Sequence, residues 1–321
     1  MTRFPIRNFC FPCLACASLA WAANVAFPQP LRLPDAPGAA AHPQPVASAP
    51  FVLNAAETKF TDDVLAYWEQ RSARVKRFEC VFTRFEYDAQ FGPPSQPNTP
   101  RTISDGALKF EQPSNGEYVI TRVKHYIPPS QAGEPATYEE REGAFQERWM
   151  CNEDSIMKWD YRNKILEVTE LPPEMKGRAI VNGPLPFMFG AKAAEIKDRY
   201  WMRVLPPDDP SQPIEKYWIQ AYPKRRADYA NFAMVEVILD AKEFLPEALQ
   251  VYPPGYNPSE GNYSRTSYVF ANRVENKGNN PLLNPFGGQV WNPGAPFGWK
   301  KVVTPVEQPE RVAPRGGPAR R

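Results

Sequence analysis

The sequence has little of the chemistry that catalytic sites need. It contains two histidines, His42 and His125, and five cysteines among 321 residues. A zinc site needs several cysteine or histidine ligands at short spacing, and no such spacing occurs. The sequence also lacks a Gly-X-Ser-X-Gly elbow, a glycine-rich phosphate loop and an EF-hand pattern. The residues therefore predict no catalytic site, no metal and no cofactor, although distant carboxylates that meet in the fold would still allow a hydrolase.

The chain also lacks an excess of charge and a long apolar run. Lysine and arginine number 38 against 36 acidic residues, and no basic stripe runs along the sequence. Nucleic-acid binders usually show such a stripe, so the charge pattern predicts no nucleic-acid partner. A bilayer-spanning helix needs about 20 apolar residues. No run in the sequence reaches that length, which predicts no transmembrane span.

The N-terminus has the pattern of an export signal. Arg3 and Arg7 precede an apolar stretch over residues 9–21, and Ala20-Trp21-Ala22 places small residues where a signal peptidase reads them. We therefore predict a signal peptide over residues 1–22 and export to the periplasm or cell envelope. Two alternatives remain: an ordinary disordered N-terminus, and a lipid anchor at Cys16, because Leu14-Ala15-Cys16 resembles a lipobox.

Removal of residues 1–22 would leave two cysteines, Cys80 and Cys151. A disulfide between them would persist in an oxidising compartment and would close a loop of about 70 residues, worth on the order of 4 kcal/mol. Two buried thiols are the alternative, since sequence gives no geometry. Removal of Arg3 and Arg7 also reduces the 38 basic residues to 36, which equals the number of acidic residues.

Proline marks the domain limits. The chain contains 38 prolines, about 12% of its residues, where roughly 5% is usual. Residues 23–56 are rich in proline and alanine and predict a flexible linker. Residues 276–302 mix proline and glycine with aromatic anchors and predict a segment that wraps onto the body, followed by a disordered tail over 303–321. The remaining segment, 57–275, is the predicted domain.

Between the proline breaks the domain has strand patterns. One amphipathic helix precedes them, with a predicted N-cap at Thr61 and an end near Arg77. Ten or so strands follow, with turn signals between them, and a short helix is predicted over residues 184–198. We expect a mainly β (α+β) fold: a strongly curved antiparallel sheet or unclosed β-barrel, with an N-terminal helix and a short lid-like helix.

Bulky apolar residues recur on the predicted strands and the short helix. Such a face either forms an ordinary core or leaves a cavity for an apolar ligand, and the residues alone favour the core. The candidate cavity residues are Phe82, Leu108, Phe110, Tyr118, Ile120, Trp149, Trp159, Phe187, Met188, Phe189, Trp218, Met234, Ile238, Leu249 and Phe270.

The order of these elements resembles the LolA/LolB-like superfamily of lipoprotein carriers. The resemblance rests on a helix that leads into residues 75–84, on a strand over 106–113, on the hairpin formed by 154–161 and 164–168, and on Pro186 to Gly190 after that hairpin. More closely, the chain resembles a planctomycete family of exported LolA-like proteins of unknown function. One departure is Arg84, which stands where the carriers usually have glutamine.

The resemblance implies an unclosed barrel with helices on its concave side and an apolar cavity that holds acyl chains. It therefore implies a non-enzymatic carrier or binding protein for a lipid or lipoprotein acyl chain in the cell envelope. Two alternatives remain open: a sensor or scaffold that uses the same sheet to bind an envelope protein, and an envelope hydrolase. A hydrolase would require titratable residues clustered in a pocket, and a surface position is expected for His125.

Overall fold

A computed structural model describes residues 48–93, 96–129, 131, 135–140, 147–173, 176, 192–207, 211–276 and 290–305. The predicted signal peptide, most of the linker and the residues Phe187, Met188 and Phe189 lie outside the described residues. In the described parts of the chain, no helix is both long and apolar enough to cross a membrane.

The first element is helix α1, which spans Ala55–Ser72. Its N-cap is Asn54, whose side chain accepts a hydrogen bond from the Glu57 backbone while the Glu57 carboxylate accepts one from the Asn54 backbone. This reciprocal capping box fixes the helix start. Thr61, the predicted N-cap, lies inside the helix, where its hydroxyl accepts a hydrogen bond from the Val204 backbone. The helix therefore begins inside the predicted linker.

Among the described residues, thirteen strands, two further short α-helices and one 3₁₀ helix (Pro258–Glu260) follow α1. The strands are β1 (Arg77–Tyr87), β2 (Thr102–Glu111), β3 (Asn115–Ile127), β4 (Thr137–Glu140), β5 (Glu147–Cys151), β6 (Ser155–Asp160), β7 (Ile165–Glu170), β8 (Tyr200–Val204), β9 (Lys216–Pro223), β10 (Met234–Asp240), β11 (Pro246–Tyr252), β12 (Arg265–Glu275) and β13 (Lys300–Thr304). The helices are α2 (Ala193–Arg199) and α3 (Arg226–Tyr229).

The strands form one curved, unclosed sheet, as the sequence predicted. Its order is β13-β7-β6-β5-β3-β2-β1-β12-β11-β10-β9-β8, and β4 pairs with β3 off this path. Neighbours are antiparallel except β13, which lies parallel to β7. β13 also includes Val303 and Thr304, which the sequence assigned to a disordered tail.

The two faces of the sheet have different cores. We call the face that packs against α1 the helix face. It carries Phe82, Leu108, Ile120 and Leu249, which join α1 residues such as Leu65 in the larger core. Side chains alternate along a strand, so neighbouring positions such as Val81 lie on the opposite face. Val81 is exposed there.

A smaller core lies on the opposite face at β5, β6 and β7. Met150, Met157, Trp159, Leu166 and Val168 form this cluster. Trp291, Ala295 and Trp299 pack against it from the segment before β13. The backbone carbonyl of Trp291 also accepts a hydrogen bond from the Asn152 side chain at 2.9 Å. The segment that holds these aromatic residues therefore covers one end of the opposite face.

The two cysteines of the domain are free thiols. Cys80 on β1 pairs with Leu108 on β2, which pairs with Tyr118 on β3. Cys151 lies on β5, one strand further along the sheet. Neighbouring strands are about 4.8 Å apart, so three strand spacings separate the two residues and exceed the reach of a disulfide. Of the two possibilities that the sequence left open, a disulfide or two thiols, the structure has two thiols.

Candidate functional site

A buried arginine marks the most unusual part of the helix face. Along β1, the inward positions Phe78, Cys80 and Phe82 are buried and apolar, and the next inward position is Arg84. The Arg84 side chain is only 12% exposed. A guanidinium cannot give up its charge, so its burial requires partners close by.

Those partners come from three strands, and Ser104 on β2 is the register partner of Arg84. The Arg84 Nη1 donates to the Tyr118 hydroxyl and to Glu147 Oε2, both at 3.1 Å. Its Nη2 lies 3.7 Å from Glu86 Oε2. Tyr118 also hydrogen-bonds the Tyr268 hydroxyl. We call the set Arg84, Glu86, Ser104, Tyr118, Glu147 and Tyr268 the Arg84 cluster.

The neighbouring groups keep the Arg84 side chain charged at the centre of the cluster. Desolvation by burial lowers the pKa of Arg84, but Tyr118, Glu86, Tyr268 and Glu147 outweigh it and raise the pKa above its ordinary value. Burial raises the pKa of both Tyr118 and Tyr268, so both phenols stay protonated near neutral pH. The cluster therefore contains one guanidinium, two carboxylates and two neutral hydroxyl groups.

Aromatic rings surround this polar centre. Phe82 stacks on Tyr118 with ring centroids 5.0 Å apart, and it meets Tyr268 edge-on at 5.8 Å. Trp149 lies beside Tyr118 on β5, and its indole N–H donates to Glu147 Oε1 at 2.9 Å. Tyr118, Trp149 and Tyr268 are half-buried, whereas Phe82 is fully buried. Apolar aromatic rings therefore lie next to the polar Arg84 cluster, a combination that is typical of ligand sites for amphiphilic molecules.

Gly106 makes this arrangement fit. It pairs with Phe82 on β1 and Ile120 on β3. A Cβ atom at Gly106 would lie 2.4 Å from the Phe82 ring and 2.4 Å from the Val119 carbonyl oxygen. The missing side chain therefore lets the Phe82 ring lie across β2, where it supports Tyr118.

The candidate cavity residues divide between the two faces. Those in the larger core on the helix face are Phe82, Leu108, Phe110, Ile120, Leu249 and Phe270. Tyr118 packs against that core, and Trp149 shares its face. Phe82, Ile120 and Phe270 are almost completely buried, so the core interpretation fits them.

Four of the candidates lie on the opposite face and cannot line the same cavity. Trp159 belongs to the smaller core. Trp218, Met234 and Ile238 occupy positions one residue away from the inward residues Ile219, Val235 and Val237. A shift of one residue along a strand moves a side chain to the other face, and the sequence alone did not resolve that offset.

His125 is half-buried in β3 rather than at the surface, opposite Thr102 on β2. Thr102 in turn pairs with Glu86, and its hydroxyl donates to the Glu86 carboxylate. Titratable groups are thus clustered on this face. Among the described residues, however, no group of three or more His, Cys, Asp or Glu could hold a metal ion.

A pocket of about 790 Å³ lies elsewhere, between the start of β9, the turn from β10 to β11, and residues 270–273 inside β12. Its walls carry ion pairs, Lys216 with Glu247 at 2.6 Å and Arg273 with Glu243 at 2.9 Å. Arg273 also donates to the backbone carbonyl oxygens of Leu245 and Pro246, so the charged groups of this pocket have partners within the protein. The Arg84 cluster, with its buried charge, is therefore the stronger candidate site.

In the sequence, Arg84 stands out only as a departure from the carrier pattern, and no pattern points to Glu86, Ser104, Glu147 or Tyr268. The available signal was the position of Arg84, two residues after Phe82 in an inward alternation that is otherwise apolar. Glu147 had no such signal, because its role depends on the pairing of β5 with β3.

No protein-family model and no curated protein matches the sequence. Solved structures with a similar course include a LolA superfamily protein from Nitrosomonas europaea, with 7% identity, a TM-score of 0.32, and coverage of 69% of this chain and 96% of that one. A putative outer membrane lipoprotein-sorting protein domain from Vibrio parahaemolyticus has 10% identity, a TM-score of 0.29, and coverage of 71% and 97%. The MucA/MucB complex of Pseudomonas aeruginosa contributes a chain with 9% identity, a TM-score of 0.32, and coverage of 70% and 60%. At scores this low, these similarities carry no argument about family or function.

Proposed function

We propose that the protein is an exported, non-enzymatic binding or carrier protein that holds a lipid or lipoprotein acyl chain on the helix face, beside the Arg84 cluster. The observation that carries the proposal is the set of half-buried aromatic side chains, Tyr118, Trp149 and Tyr268, around a charged centre on that face. The export pattern at the N-terminus supports a periplasmic or envelope location.

The affinity would come from apolar burial. Each methylene removed from water contributes about 0.8 kcal/mol, so a chain of a dozen carbons supplies enough free energy for useful binding even after its ordering cost. The aromatic rings offer apolar area with little conformational entropy to lose. The polar cluster would face the polar end of such a ligand.

Native mass spectrometry of gently purified protein tests the proposal directly. We expect a bound lipid, or, in its absence, binding of the apolar fluorophore N-phenyl-1-naphthylamine. Trp149→Ala should weaken fluorophore binding about tenfold, because it removes an aromatic ring from the site. Trp201→Ala is the matched control, since Trp201 is also half-buried but lies on β8 opposite Tyr222, away from the helix face. A chain that carries no lipid and binds no fluorophore would refute the proposal.

A second candidate function is binding of an envelope protein partner, and an apolar row on the opposite face favours it. Trp218, Ile238, Ala248 and Val269 are register neighbours across β9 to β12. Trp218 is 41% exposed and Val269 is 46% exposed. Ile238 is buried between them, but exposed large apolar side chains such as Trp218 and Val269 often serve protein contacts.

A photo-crosslinking residue in place of Trp218 distinguishes this second function from the first. A protein partner should give one discrete cross-linked product in envelope extract, and the same residue in place of Trp149 should not. Cross-linking to lipid from position 149 with no protein product from position 218 would favour the carrier function alone.

A further inference from the structure

Two buried polar atoms of the Arg84 cluster have no hydrogen-bond partner among the described residues. They are the Arg84 Nε and the Ser104 Oγ. Arg84 and Ser104 are direct register partners on β1 and β2, and both point to the helix face. Ser104 is 0% exposed. An unsatisfied buried polar atom costs about 1–3 kcal/mol, so two neighbouring ones indicate a missing polar partner.

The chemistry of the two atoms defines that partner. The Nε–H is a donor only, and the Ser104 hydroxyl donates or accepts. Side chains of paired residues in an antiparallel sheet lie about 5 Å apart at Cβ. One acceptor oxygen placed between the two groups could therefore receive a hydrogen bond from each.

The charge of the cluster selects a neutral acceptor over an anion. One guanidinium stands against the two carboxylates of Glu86 and Glu147, and both carboxylates are within its reach. The positive charge of Arg84 is thus already paired with these two carboxylates. An incoming carboxylate or phosphate would lie beside both of them in a poorly hydrated site, whereas an ester or amide oxygen would bring no like charge.

We infer that the carbonyl oxygen of a neutral acyl ester or amide accepts hydrogen bonds from Arg84 Nε and Ser104 Oγ, while the acyl chain lies along the neighbouring aromatic rings. The inference rests on the proposed function and deepens it, because it assigns the ligand class. The site discriminates acyl chains that are esterified or amide-linked from free fatty acids.

The test compares two probes of equal chain length on the full chain. Displacement of N-phenyl-1-naphthylamine is measured with 1-monolauroylglycerol, a neutral ester, and with laurate at pH 8, where laurate is ionised. We expect the ester to displace the fluorophore at about a tenfold lower concentration. Ser104→Ala should raise the concentration of ester needed by about fivefold, the value of one lost hydrogen bond, and should leave laurate unchanged.

Ser114→Ala is the matched control. Ser114 is also buried, and its hydroxyl likewise has no partner among the described residues, but it lies in the turn between β2 and β3. It should leave both probes unchanged, and melting curves should show that both variants fold. Equal displacement by laurate and ester, or equal effects of the two serine variants, would overturn the inference and leave the carrier function intact. If the fluorophore does not bind and native mass spectrometry finds no lipid, both the inference and the carrier function are refuted.

Discussion

At the scale of single residues, the position of Arg84 decides where the apolar core of the helix face ends. The inward side of β2 is polar at Thr102 and Ser104 and apolar at Leu108 and Phe110. Arg84 stands opposite the polar half. The hydrophobic alternation was visible in the sequence, whereas the partners of Arg84 lie on strands that only the fold brings together.

Gly106 is expected to tolerate no side chain, because an added Cβ would clash with two neighbouring strands. Gly106→Ala places a methyl group against the Phe82 ring and the rigid Val119 carbonyl. Overpacking of this kind costs about 1–3 kcal/mol. Urea unfolding should show that loss, and fluorophore binding should weaken because Phe82 supports Tyr118.

The matched control for Gly106 is Gly294→Ala. No atom lies within 4 Å of the added Cβ at Gly294, so a change within about 0.5 kcal/mol is expected. If both substitutions leave the unfolding midpoint unchanged, the ring of Phe82 does not depend on Gly106.

The two thiols of the sheet should be unreactive in the native protein. Burial raises the pKa of Cys80 to about 12 and that of Cys151 to about 12. The thiolate is the reactive form, so at pH 8 almost none is present. In a variant with Cys10, Cys13 and Cys16 replaced by serine, Ellman's reagent should label no thiol in the native state and two thiols in guanidinium. Absence of labelling in guanidinium would instead reveal a disulfide.

At the scale of elements, most of the strands are predicted by alternating apolar residues and by the turn residues between them. The hairpin of β2 and β3, for example, turns at residues 112–114, and β3 begins at Asn115. The start of α1 was missed, although Asn54 and Glu57 have the spacing of a capping box. β13 was missed because a short parallel edge strand has no local signal beyond Val302 and Val303.

The segment before β13 is held by a hydrogen bond whose strength depends on pH. The Trp291 indole N–H donates to Glu111 Oε2 at 2.8 Å. This bond, aided by Arg77, lowers the pKa of Glu111 below its ordinary value of 4.5. A depressed carboxyl pKa stabilises the fold above the ordinary value, and the contribution is lost as the pH falls through the folded value.

Trp291→Phe should therefore raise the pKa of Glu111 toward 4.5, measured by NMR titration of its carboxyl carbon. The ring stays, so the packing changes little, and only the donor is removed. Trp299→Phe is the control, because Trp299 packs edge-on against Tyr161 at 5.2 Å and its substitution should leave the Glu111 titration unchanged. Identical titrations in the two variants would show that Arg77 alone sets the pKa.

At the scale of the whole molecule, the sequence predicted one apolar face, and the fold has two. Among the described residues, the larger core has 25 buried residues, from the helix face and from the helices packed on it, and the smaller has five on the opposite face. The strands β3 and β5 connect the two regions. Register cannot be read from alternation alone in strands that are apolar at successive positions, as in Val237-Ile238-Leu239, so the division between faces required the structure.

The difference in size between the two cores predicts which of them unfolds locally at the lower free energy. Native-state hydrogen exchange should show that the amides of Met157 and Leu166 open at a lower free energy than those of Phe82 and Ile120, because fewer apolar contacts hold the edge of the sheet.

Trp299→Ala should lower the opening free energy of β6 and β7 further, by roughly 2 kcal/mol, since Trp299 is only half-buried and a fully buried tryptophan costs about 3–5 kcal/mol. The same substitution should leave Phe82 and Ile120 unchanged. Phe297→Ala, at a fully exposed position of the same segment, should change neither region. If Trp299→Ala lowers the protection of all four amides equally, the two cores unfold as one unit and the smaller core has no independent opening.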